Sequence, residues 1–138
     1  MLSGICLVFP LAKARRSAKS GQKAANLSKL IAAGFDVPRG FVIASDAYRW
    51  HLCTTGAPRM SGIDVEAEDR EAVRGAILGR EMAHDVWSAV AAAYRELALQ
   101  CGLDEPKVAV RSSSTQDFPG AYESYLNVTV LDELKAAV

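Results

Sequence analysis

Between Met82 and Leu97 the chain places an apolar residue every three or four positions, at Met82, Val86, Val90, Tyr94 and Leu97. That spacing follows the helical turn of ~3.6 residues, so these side chains share one face. Trp87, Ala91 and Ala98 lie beside the stripe and widen it. The pattern predicts a long amphipathic helix from about Glu81 to Gln100, closed by Gly102.

Upstream, residues 4 to 12 form an apolar run ending near Pro10, which predicts a first strand. A polar, basic stretch follows from Lys13 to Ser20. At Gly21 a helical pattern begins, with Ala24, Leu27, Leu30 and Ile31 on one face and Gly34 as its stop. Pro38 and Gly40 mark a turn before a short buried strand, Phe41 to Ile43. Ser45 or Asp46 is placed to cap a helix carrying Ala47, Tyr48, Trp50 and Leu52. Residues 54 to 70 read as a loop with room for a short helix. Lys107 to Arg111 reads as a strand, Ser112 to Gly120 as a loop, and Tyr122 to Val130 as an alternating second strand. A last helix opens around Asp132 and Leu134. It is too short to stand alone, and Leu134, Ala137 and Val138 have no following segment to cover them, so a truncated domain is expected.

Composition bounds the functions open to such a chain. Its 138 residues fit one domain or one lobe of a larger one. Sixteen basic residues balance sixteen acidic ones, so no global charge points to nucleic acid or to an anionic membrane. The run Lys13, Arg15, Arg16, Lys19 reads as a solvated face. Cys6, Cys53 and Cys101 are odd in number and widely spaced, which fits reduced thiols in a cytoplasmic protein rather than disulfides or zinc. No apolar segment approaches the ~20 residues of a membrane span. His51 and His84 fall in helical segments without triad or metal partners nearby in sequence, and a structural or surface role is expected for each. Trp50, Trp87 and the tyrosines at helical spacing are expected in the core. No catalytic residue and no metal ligand is assigned within the chain.

Three constellations carry possible chemistry. In Ser20-Gly21-Gln22-Lys23 a flexible turn opens a helix, leaving backbone N–H groups free beside a lysine; this suits a phosphate, and equally an ordinary capped helix. In Val108-Ala109-Val110-Arg111-Ser112-Ser113-Ser114-Thr115 a strand delivers an arginine followed by four hydroxyl residues. A guanidinium fork and hydroxyl donors fit phosphate oxygens, as they also fit a polar strand edge. In Phe118-Pro119-Gly120, leading into Tyr122 to Asn127, the glycine permits close backbone approach to a ligand or makes a plain hairpin connection. Asn127 is polar in an otherwise apolar strand and is expected to satisfy a neighbouring turn.

In this order the blocks resemble one family. Gly21-Gln22-Lys23-Ala24-Ala25-Asn26-Leu27 is similar to its GGKGANL stretch, and Val37-Pro38-Arg39-Gly40-Phe41-Val42-Ile43 to its VPPGFVI segment. Val108 to Ser113 resembles its VAVRSS strand, and Gly120 through Val128 its GQxETYLNV block. The family is the nucleotide-binding domain of phosphoenolpyruvate synthase, pyruvate phosphate dikinase and rifampicin phosphotransferase. The sequence departs from it at Gln22, where the family has a second glycine, and in the short span from Arg111 to Gly120. Phe118-Pro119-Gly120 is dikinase-like, whereas Arg111-Ser112-Ser113 and Tyr125-Leu126-Asn127-Val128 are synthase-like.

The resemblance implies an α+β fold, namely an ATP-grasp-type N-terminal lobe with a mixed sheet flanked by helices. Residues 1–138 would be the first part of that ATP-binding domain. It implies that Lys23, Arg111, Ser112, Gly120 and Ser124 hold the phosphates of ATP, with Mg²⁺ ligands in the part of the domain beyond this chain. It further implies that the whole enzyme phosphorylates a histidine on another domain and passes the group to pyruvate, and that this chain alone is inactive. An antibiotic phosphotransferase lobe and a stand-alone, non-catalytic nucleotide-binding module are the rival readings.

Overall fold

The computed structural model describes residues 6–15, 17–56, 67–113 and 124–138. Strand β1 (Val8–Pro10) leads through a 3-10 turn, Leu11–Lys13, into helix α1 (Ser17–Ala32). Strand β2 (Phe41–Ile43) and helices α2 (Ser45–Thr55), α3 (Ala67–Leu78) and α4 (His84–Cys101) follow. Strands β3 (Val108–Arg111) and β4 (Ser124–Val128) precede the last helix, α5 (Leu131–Ala137).

The fold is α+β, but among the described residues the strands form two separate antiparallel pairs rather than one mixed sheet. Strands of three to five residues cannot span a broad layer, and each pair is covered locally instead. In the first pair Val8 faces Ile43, Phe9 faces Val42 and Pro10 faces Phe41. Alternate residues of a strand point to opposite faces. Accordingly Val8, Phe41 and Ile43 pack on the main core, while Phe9 and Val42 join a second cluster with Ala14 and Ala24.

Helix α4 is the axis of the main core. Val86, Val90, Ala91, Tyr94, Leu97 and Ala98 are its buried stripe, as the periodicity predicts. Val90 is fully enclosed. Gly102 ends the helix in the left-handed region at φ 66°, with its N–H donating to the Leu99 carbonyl and Leu103 N–H to that of Ala98. A side chain is disfavoured at that φ, which is why glycine stands there. The helix starts at His84, three residues later than expected. His51 of α2 offers Nδ1 to the Ala83 N–H at 3.2 Å, satisfying one donor at that helix start. His84 is exposed and meets Ser88. His51 thus has a structural setting and His84 a surface one, as expected of them.

Several other expectations need correction. The stretch before Gly21 is helical from Ser17. Helix α2 has Ala44 at its cap and no side-chain cap, with Ser45 already inside the helix; Asp46 instead pairs with Lys19 and Arg49. Helix α3 is longer than the short helix allowed before residue 70, because it extends where apolar spacing is sparse. Leu134 is not left uncovered: it is 2% exposed and packs in the main core with Val86, Val90, Tyr94 and Val128. Tyr48 is not a core residue but lies exposed on α2.

The second pair departs from simple alternation. Val108 faces Val128 but Val110 faces Tyr125, so β4 carries one more residue than β3 across that interval. This is a bulge, and Asn127 takes a left-handed φ of 58° there. Asparagine tolerates that region better than most residues, which explains a polar side chain in the strand. Leu126 consequently stays exposed instead of facing the core.

Candidate functional site

Helix α1 is two helices joined at Gly21. This residue has φ 76° and ψ 166°, outside helical geometry, and the helix resumes behind it at Gln22 and Lys23. Position 21 tolerates no side chain. A Cβ there would lie 1.8 Å from the Ser113 carbonyl oxygen and 2.2 Å from its carbon, where real contacts never come. The chain two residues past the end of β3 therefore sits directly on the break in α1. The same serine closes the junction, because Ala24 N–H donates to Ser113 Oγ at 3.0 Å across 89 residues of sequence.

The break is held from below as well. Ser20 is buried and its hydroxyl approaches the Ala14 carbonyl at 3.4 Å. Ser28, also buried, donates to the Ala12 carbonyl at 2.9 Å. These bonds fix α1 to the turn after β1, and Ala24 packs against Val42 in the second cluster. Lys19, from the basic run, is taken up by Asp46 at 3.2 Å.

The sequence-predicted site residues are distributed around this junction as follows. Lys23 is half-buried in the first turn after the break. Arg111 is exposed at the end of β3, Ser112 is half-buried after it, and Ser124 is exposed and directly opposite Arg111 in the ladder. Residues directly opposite in an antiparallel pair project from one face. Gly120 lies outside the described residues. The path from Lys23 through the Ala24–Ser113 bond to Arg111 is no longer than about 15 Å, from ~3.8 Å per Cα step. Among the described residues no ion pair involves Lys23 or Arg111. Also among the described residues, no group of three or more His, Cys, Asp or Glu side chains is placed to hold a metal ion.

Ser113 stands among the hydroxyls after Arg111 in the sequence, but no role of its own is legible there. Its neighbours Arg111 and Ser112 have obvious phosphate chemistry, whereas its own partner lies in a distant helix and leaves no local signal.

A strand-end arginine and a helix-start lysine brought to one junction by a glycine break are the blocks whose order marked the family. The family described as pyruvate phosphate dikinase, AMP/ATP-binding domain, matches residues 18–138. This chain belongs to that family. It is 37% identical to the phosphoenolpyruvate synthase of Aeropyrum pernix over 85% of the chain and 17% of the relative. It is 37% identical to a probable phosphoenolpyruvate synthase of Methanocaldococcus jannaschii, over 79% of the chain and 10% of the relative. With the phosphoenolpyruvate synthase of Helicobacter pylori the identity is 32%, over 77% of the chain and 15% of the relative. The chain thus spans less than a fifth of the length of these relatives. Among the described residues no helix is long and apolar enough to cross a membrane.

Proposed function

We propose that residues 1–138 form the first part of an ATP-grasp-type domain that binds the phosphates of ATP in a cytoplasmic enzyme of the phosphoenolpyruvate synthase type. The observation that carries this reading is the contact of Ser113 with Gly21 and Ala24, which joins the lysine block to the arginine block. In this reading Lys23, Arg111, Ser112, Gly120 and Ser124 surround the phosphates. Lysine supplies a compact positive charge and arginine a planar fork of donors. The serine hydroxyls and the glycine backbone fill the remaining directions.

Phosphoryl transfer is mainly positioning and charge stabilisation, so a cationic cradle is the principal contribution such a segment can make. Among the described residues no group of three or more His, Cys, Asp or Glu side chains gathers to hold a metal ion, and the Mg²⁺ ligands are assigned beyond this chain; no step here runs through the metal. The enzyme as a whole would move a phosphoryl group from ATP to a histidine on another domain and then to pyruvate, giving phosphoenolpyruvate. Relatives named as phosphoenolpyruvate synthases support that acceptor.

The test is Arg111→Ala in the full-length protein that carries this chain. Phosphorylation of the protein from ATP is expected to be abolished. Unchanged phosphorylation would overturn the role of Arg111. The chain by itself supplies one side of the cradle, so calorimetry is expected to find weak or no ATP binding, and micromolar affinity would refute that division of labour.

A further inference from the structure

We propose that Ser113 is a positioning residue that sets the arginine side of the cradle against the lysine side, an inference that rests on the nucleotide-binding reading above. Three observations converge on it. The Ser113 hydroxyl accepts the Ala24 N–H, one residue beyond Lys23. Its backbone occupies the space that a side chain at position 21 would need. It also follows Arg111 by two residues, at the end of a strand whose pairing with Ser124 fixes the direction of the chain.

These contacts constrain one another. The hydrogen bond needs Ser113 close to the new helix start, and that closeness is possible only because position 21 is glycine in a left-handed conformation. The segment that leaves β3 cannot shift along α1 at Ser113 without breaking the bond, nor press closer without a backbone clash. The guanidinium of Arg111 is long and flexible, so its useful orientation depends on where the strand end is anchored. Ser113 supplies the anchor without contacting the nucleotide.

The hydroxyl is what distinguishes this role from ordinary packing. Ser113→Ala keeps the backbone against Gly21 and removes only the acceptor. In the full-length protein, ATP affinity is expected to fall about tenfold, on the scale of one net hydrogen bond. Adenosine affinity, which does not draw on the phosphate cradle, is expected to stay at the wild-type value. Amide exchange at Ala24 is expected to accelerate in the unliganded variant, while the amides of α4 keep their protection.

Equal losses for ATP and adenosine would reduce Ser113 to general structural support and overturn the proposal. Wild-type affinity for both ligands would overturn it as well, as would unchanged exchange at Ala24. If the wild-type protein itself fails to bind ATP, the nucleotide reading falls first and takes this inference with it. That outcome is separable because it is seen before any substitution is made.

Discussion

The two strand pairs are built from similar material and used differently. The β1–β2 pair is covered on both faces: Val8, Phe41 and Ile43 meet the main core, and Phe9 and Val42 meet the second cluster. The β3–β4 pair sends Val108, Val110 and Val128 to the main core but leaves Ala109, Arg111, Ser124, Leu126 and Asn127 exposed. One pair is held by apolar burial and carries no candidate ligand group. The other is held at its ends by polar bonds and carries Arg111 and Ser124. Burial on both faces leaves no room for charged side chains, so the candidate phosphate-binding groups fall on the pair with an open face.

The anchoring of the open pair can be traced atom by atom. At its base, the Tyr94 hydroxyl from α4 meets the carbonyls of Pro106, just before β3, and Thr129, just after β4. Below that, the Glu133 carboxylate accepts the backbone N–H of Thr129 at 3.0 Å and its hydroxyl at 3.2 Å, fastening the turn into α5. At the far end, Ser113 meets α1. The β1–β2 pair has apolar cover on both faces instead, and its polar ties, from Ser20 and Ser28 of α1, reach only the turn after β1.

The sharpest test of that contrast compares Val42→Ala with Leu126→Ala. Val42 is 7% exposed and central to the covered pair, whereas Leu126 is 69% exposed at the bulge. Loss of two buried methyl groups is expected to cost about 2 kcal/mol, with the cavity included. The Leu126 change is expected to stay within about 0.5 kcal/mol. Urea unfolding measures both, and equal costs would show that the two pairs are not covered so unequally.

A smaller effect is expected from Tyr94→Phe, which keeps the ring in the core and deletes the hydroxyl that ties the base of the open pair. Leaving buried carbonyls unpartnered costs about 1–2 kcal/mol. Burial holds the Tyr94 hydroxyl above its ordinary pKa of 10.0, with the charges of Glu105 and Glu133 acting in the same direction. A tyrosine whose folded pKa is raised stabilises the fold fully below its unfolded value. That contribution is lost as pH rises through the folded one. The wild type should therefore lose stability above about pH 10, and the phenylalanine variant should lose less over the same range. An identical alkaline decline in both would remove Tyr94 as its source.

The same contrast explains what could be read from sequence. Phe41 to Ile43 and the stripe from Met82 to Leu97 were legible because their burial is written as local spacing. The ends at Gly34 and Gly102 were legible because both glycines take the left-handed region. The helical turn at Ser17–Ser20 was not, since it has no apolar stripe and depends on Ser20 reaching Ala14. The bulge at Asn127 was hidden because alternation assumes that both strands count residues equally. Leu134 seemed uncovered because its partners are earlier in the chain rather than later. Of the candidate site, Lys23, Arg111 and Ser112 stood out through their own chemistry. Ser113 did not, because its importance lies in a contact 89 residues away.

The polar ties of the open pair include a carboxylate, so this pair should respond to acid, and Glu133 is the place to look. Hydrogen bonds from the backbone and side chain of Thr129, and then from the backbone of Val130, outweigh desolvation and lower its pKa from 4.5. A carboxylate with a lowered folded pKa adds stability above its unfolded value, and that gain disappears as pH falls through the folded one. Glu133→Gln keeps an acceptor oxygen for Thr129 but removes the charge that strengthens the bond. Its melting temperature should therefore lie slightly below that of the wild type at neutral pH, and the two should converge as the pH drops below about 4.5. The side chain is exposed, so the gap should be the smallest of the three effects. A gap of constant size across that range would mean that Glu133 acts through shape rather than charge, and that the base of the open pair rests on the Tyr94 hydroxyl.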